Sequence, residues 1–116
     1  DYKEQSVEKF DELSEVFKKL VSVFAPFYGC ITSRSNSSMF DTYYDKINNS
    51  PTSIFDINYW GEDIVNDLPI SEIRKKVFEC IEINSGYYIR LQKEPINISN
   101  INHMKLQKDI NCLLGF

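Results

Sequence analysis

Apolar positions follow two different periods along this chain. In the first third Phe10, Leu13, Phe17, Leu20, Val21 and Phe24 recur at intervals of three and four, and Glu8, Lys9, Asp11, Glu12, Glu15, Lys18 and Lys19 fill the gaps. That spacing predicts an amphipathic helix beginning before Val7 and stopped by Pro26. Its stripe needs a sheet or a second helix to lie against, because an isolated amphipathic helix is unstable in water. Residues 27–32 are aromatic and β-branched and read as a strand. Residues 33–38 are all polar and read as a loop. Phe40, Tyr43, Tyr44 and Ile47 return to helical spacing, which suggests a short, half-exposed helix over 39–47, ended by Asn48, Asn49, Ser50 and Pro51.

The second half alternates. Phe55, Ile57 and Tyr59 interleave with Asp56 and Asn58, a strand signature, while Ile64, Val65 and Leu68 fit a short helix closed by Pro69. Gly61 marks the switch between the two periods. Residues 70–76 begin as a helical turn with Ser71 as a candidate cap. Two β-rich runs, 77–83 and 87–91, flank Asn84, Ser85 and Gly86, so a hairpin with a bulged loop is expected. In that hairpin Tyr87, Ile89 and Leu91 face the core and Tyr88 and Arg90 face outward. Leu106, Ile110, Leu113 and Leu114 form the stripe of a terminal helix over 102–114, with Asn100 or Asn102 at its start and Gly115 at its end. Helices at both ends with strands between predict one α+β domain over residues 1–116. Its antiparallel sheet packs against the N-terminal and C-terminal helices, with the sheet on one side and the helices on the other.

Composition narrows the function classes. Aromatic residues are 14% of the 116, with eight Phe, seven Tyr and one Trp. Such rings fill cores, and they also supply hot spots at protein interfaces. Thirteen basic residues against seventeen acidic ones leave a net charge of −4. Nucleic acid is therefore not an expected partner, since phosphate binding needs a field of Lys and Arg, and the basic run Arg74-Lys75-Lys76 reads as a solvated face. No run approaches the roughly 18 apolar residues of a membrane span, so no membrane partner is expected either. Cys30, Cys80 and Cys112 are odd in number, lack paired spacing and have apolar neighbours, which points to buried free thiols in a reducing, cytoplasmic compartment. The chain starts at Asp1, which reads as a processed or trimmed form, with a removed signal peptide left open. The sequon at Asn97 matters only in a secreted eukaryotic protein.

Catalytic constellations are sparse. His103 is the sole histidine and sits in the first turn of the terminal helix, where a solvated or cap-proximal role is commonplace. No phosphate loop, zinc-binding His pair or calcium loop occurs, so no cofactor, metal or enzyme activity is expected. The carboxylates Asp56, Glu62, Asp63 and Asp67 cluster in sequence, and Asp63 and Asp67 share a face if that segment is helical. They can form a solvated face, a partner-facing acidic patch, or a metal site or acid/base pair. Trp60 beside them can be core or hot spot. Tyr43, Tyr44, Tyr59, Trp60 and Tyr88 fall in loops, turns or outward strand positions, and with the four acids they form the expected partner-binding set.

The order of short motifs carries a resemblance. The first helix runs into Pro26-Phe27-Tyr28-Gly29, followed by Asn58-Tyr59-Trp60-Gly61 and then by Gly86-Tyr87-Tyr88-Ile89-Arg90-Leu91 before a closing helix. This layout resembles the immunity protein 52 type of bacterial polymorphic-toxin and type VI secretion immunity proteins, from which the Ser/Asn run at 33–38 and the acids after Gly61 depart. The resemblance implies a small α+β protein, monomeric or a small homo-oligomer, that binds one cognate toxin or secreted effector and blocks it without catalysis. The alternative is an adaptor or chaperone-like module for a secreted effector, using its Phe-rich helix as a dimer or docking face.

Overall fold

The computed structural model describes residues 2–40, 44–45, 47 and 50–115. Helix α1 (Tyr2–Phe24) leads into β1 (Tyr28–Ile31), the one-turn helix α2 (Arg34–Ser37) and a two-residue ladder of β2 (Tyr44–Asp45) with β3 (Ser50–Pro51). Then come β4 (Ile57–Trp60), two short helices α3 (Glu62–Val65) and α4 (Ile70–Arg74), the hairpin β5 (Glu79–Ile83) and β6 (Gly86–Arg90), and α5 (Ile101–Leu113). The main sheet is antiparallel throughout, in the order β1-β4-β6-β5, with Tyr28 opposite Trp60, Trp60 opposite Tyr87 and Ile83 opposite Gly86. This is the expected α+β class.

Helices cover both faces of the sheet rather than one. On one face Phe10 and Val21 of α1 pack with Ile57, Tyr59 and Tyr88. On the other, Ile64, Ile73, Ile110 and Leu114 from α3, α4 and α5 and the segment after it pack with Trp60, Ile89 and Leu91. Alternation along β4 and β6 therefore sends side chains into two cores, not into a core and water. Tyr88 and Arg90, expected to face outward, are buried for this reason. The Arg90 guanidinium lies between the Phe10 and Phe78 rings, 4.6 and 5.1 Å from their centroids, and donates to Asp11 at 2.7 Å and to the Lys93 carbonyl at 2.5 Å.

Local chemistry explains most boundaries. The Asn84-Ser85 pair takes positive φ values of 52° and 65°, so the hairpin closes in a two-residue turn rather than a three-residue bulge. The Asn84 side-chain amide donates to the carbonyls of Val21 and Ser22 at 2.9 Å each, satisfying acceptors at the end of α1. Ala25 then turns left-handed (φ 44°) to end that helix. Gly86 sits where a Cβ would lie 2.5 Å from the Trp60 carbonyl oxygen, so only glycine lets β6 start this close to β4. Asn100 caps α5 by accepting from the Asn102 and His103 amides.

Several expectations change. Residues 33–38 contain α2, capped by the Ser33 hydroxyl on the Asn36 amide, instead of a plain loop. Where a helix over 39–47 was expected, Tyr44 and Asp45 form a strand. Helix α4 starts one residue before Ser71, with Pro69 at its cap position. Leu13, Leu20 and Phe24 of α1 are exposed, as is Phe78. The apolar arc is wider than the contact with the sheet, where the helix seats Phe10, Ser14, Phe17 and Val21. The cysteines are free but none is buried: Cys30 and Cys80 are half-buried and Cys112 is exposed.

Candidate functional site

The acidic segment is built on a fixed corner. Strand β4 ends at Trp60, whose ring is fully buried, and the chain turns at Gly61. The Gly61 amide donates to the Phe27 carbonyl at 2.8 Å, and a Cβ at Gly61 would stand 2.8 Å from that same oxygen. The amides of Ile64 and Val65 both donate to the Gly61 carbonyl, closing α3, and buried Ile64 anchors it to the core. This leaves Glu62 and Asp63 exposed in the first turn, where a helix N-terminus favours carboxylates. Asp67 is exposed in the turn that follows. Because α3 ends at Val65, Asp63 and Asp67 do not share a helical face. They stand on a helix and its exit turn.

The remaining members of the expected contact set divide differently. Tyr59, Trp60 and Tyr88 are core residues. The Tyr59 hydroxyl donates to the Ile83 carbonyl at 2.7 Å, and the Tyr88 hydroxyl is hydrogen-bonded to Ser14 of α1. Strands β4 and β6 are the two central strands of a sheet covered on both faces, so their rings are not offered to a partner. Asp56 is buried as well. It receives a backbone hydrogen bond from Ile96, its Oδ1 has no partner among the described residues, and burial pushes its pKa up to about 6. Tyr44 lies in β2, and Tyr43 lies outside the described residues. The structure thus keeps Glu62, Asp63 and Asp67 together on the surface and withdraws the buried four.

A cavity of about 560 Å³ opens beside the start of α5, lined by Ser6, Ser33, Ser35, Glu94, Asn97 and His103 among others. His103 Nδ1 accepts the Asn97 amide hydrogen at 3.0 Å, and its Nε2 lies 3.7 Å from a Glu94 carboxylate oxygen. In neutral imidazole this arrangement places the proton on Nε2 and engages the lone pair that a general base would need. The ring holds the 94–97 loop against α5. Among the described residues no group of three or more His, Cys, Asp or Glu side chains is placed to hold a metal ion. No described helix is long and apolar enough to cross a membrane.

Two features escaped the reading of periodicity. One is a buried amide network. Asn36 and Gln107 exchange hydrogen bonds at 3.0 and 2.9 Å, Gln107 also donates to the Ile54 carbonyl, and Asn111 links the Ile54 amide to Ser53. Its signal was the i, i+4 pair Gln107 and Asn111 on the same helical face as Ile110 and Leu114. The other is the exposed apolar side of α1. Leu13, Val16, Leu20, Val23 and Phe24 form a second stripe beside the buried one. Set against known proteins, the chain matches no family model, no curated protein and no solved structure.

Proposed function

We propose that this chain is a non-catalytic binding protein that neutralises a cognate bacterial toxin or secreted effector by occluding it. The observation that carries the reading is the acidic corner. Glu62 and Asp63 stand exposed on a one-turn helix pinned by Gly61 and Ile64, and Asp67 in its exit turn, so three carboxylates are presented from a backbone that is already ordered before binding. Such a surface complements a basic cleft, where charge pairing speeds encounter and fixes register. The order of the aromatic and glycine motifs supports a toxin as the owner of that cleft.

The test is expression of each gene flanking the coding sequence, alone and together with this chain. One flanking product should arrest growth, and this chain should restore it. The double charge reversal Asp63→Lys/Asp67→Lys should cut rescue at least about tenfold, the effect of losing roughly 1.4 kcal/mol of binding, while the melting temperature moves by no more than about 2 °C. Full rescue by that variant would move the contact surface elsewhere, and flanking products that are all harmless would defeat the toxin reading.

The exposed stripe of α1 favours a second reading, the adaptor or chaperone-like module. Under it, a flanking product is non-toxic but becomes insoluble when this chain is omitted.

A further inference from the structure

We propose that the exposed stripe of α1 is the interface of a two-fold homodimer, in which α1 packs antiparallel against α1 of a second copy. At about 100° per residue, Phe10, Ser14, Phe17 and Val21 occupy the arc that meets the sheet, and Glu8, Asp11, Glu12, Glu15 and Lys19 occupy the arc that meets water. Leu13, Val16, Leu20, Val23 and Phe24 occupy the third arc and are 41–74% exposed. A helix with two apolar arcs has one more than its own fold uses.

The spacing identifies the occupant. Leu13, Val16, Leu20 and Val23 are separated by three, four and three residues, a series that reads the same in both directions. An antiparallel copy of the same helix therefore presents the same rows. Leu13 then faces Val23 of the second copy, and Val16 faces its Leu20, so every layer holds one leucine and one valine and all four have equal volume. This is the self-complementarity that a two-fold interface requires, with the three-four spacing of helices packed at a shallow angle. Seven residues before Val16 the line continues with Lys9, its one charge. In the same register Lys9 falls within one helical turn of Phe24 of the second copy, where an ammonium can lie over the ring.

Area agrees. As Leu and Val expose less than the roughly 150–250 Å² of an aromatic ring, the five residues leave at most roughly 500 Å² of apolar surface per chain, within what a monomer displays. Two copies bury at most roughly 1,000 Å², the lower limit for a specific interface, so the dimer is a weak one that dilution dissociates. The mixed charges flanking the stripe give no single sign for a charged partner to match, whereas a second copy needs none. This dimer stands apart from the acidic corner, and its test does not depend on the toxin reading.

The experiment measures mass in solution on the full chain by light scattering, across a dilution series. The expected mass is twice 13.6 kDa at high concentration, falling to 13.6 kDa for Leu20→Asp, whose circular dichroism should remain native. Oxidative cross-linking in a Cys112→Ser background fixes orientation. A chain with Val16→Cys mixed with a chain carrying Leu20→Cys should form a covalent heterodimer, and Val16→Cys alone should form little. Efficient cross-linking of Val16→Cys to itself would overturn the antiparallel packing. A monomer at every concentration would overturn the dimer. So would a stripe whose polar variant loses a flanking gene product while mass stays unchanged, which would hand the surface to an effector.

Discussion

Asp56 is the residue with the most unusual environment. Its carboxyl titrates near 3.8 when unfolded and at about 6 when folded, because burial disfavours the anion. The folded state therefore binds more protons between these values. Its contribution is most favourable below the unfolded value and is lost as pH rises through the folded one. Stability should fall by about 3 kcal/mol of Asp56-dependent free energy between pH 3 and pH 7, roughly two-thirds of it between pH 4 and pH 6. Asp56→Asn should flatten this slope in urea titrations at several pH values and raise stability at pH 7. Retention of the full slope in that variant would assign it to other groups. Glycine 86 offers a steric counterpart. A methyl there meets backbone at 2.5 Å, so Gly86→Ala should cost about 3 kcal/mol in thermal melts. At Ala25 the sign reverses, since a left-handed residue at a helix end suits glycine. Ala25→Gly should stabilise by about 0.5–1 kcal/mol in the same assay.

At the scale of elements, the buried amides decide how α2 and the Ile54 segment meet α5. Asn36→Ala strips Gln107 of both exchanges and leaves it the Ile54 carbonyl, which should cost about 2 kcal/mol. A double-mutant cycle with Gln107→Ala should return a coupling of about 1 kcal/mol, and a coupling near zero would show that water replaces the pair without loss. Legibility also differs element by element. Helices α1 and α5, strand β4 and the hairpin were readable because their periods persist over several residues. Helix α2 was not, since four polar residues carry no period and its only mark is Ser33 acting as a cap. The candidate site divided similarly. Glu62, Asp63 and Asp67 could be placed outside because carboxylates are rarely buried. Tyr59, Trp60 and Tyr88 could not be placed, because an aromatic ring suits either side of an interface.

Whole-molecule arrangement accounts for the remaining surprises. Alternation in Gly86-Tyr87-Tyr88-Ile89-Arg90 offers a polar tip every second position, which ordinarily marks a solvated face. Here α1 closes over that face, and it does so by giving each tip a partner: Ser14 for the Tyr88 hydroxyl and Asp11 for Arg90. Lys18 extends the series, bridging to Glu79 of β5 at 2.9 Å. Burial lowers the Lys18 pKa, and the bonds to Glu79 and Glu15 more than restore it, for a net rise. Neither core is complete without the other, because β4 and β6 contribute to both.

These same contacts of α1 have a kinetic consequence. Ser14 meets Tyr88, Asp11 meets Arg90 and the end of the helix meets Asn84, all more than sixty residues away along the chain. The helix is made before the sheet, and its contact surface is completed only by β4 and the hairpin, so its docking must close a long loop. Docking therefore follows the rate-limiting step, and Ser14→Ala should accelerate unfolding while leaving the refolding rate nearly unchanged in stopped-flow chevrons. Equal effects on both limbs would place α1 in the nucleus. During synthesis the sheet-facing arc of α1 is not fully covered until Tyr88 has left the ribosome, which leaves this helix open to chaperone capture.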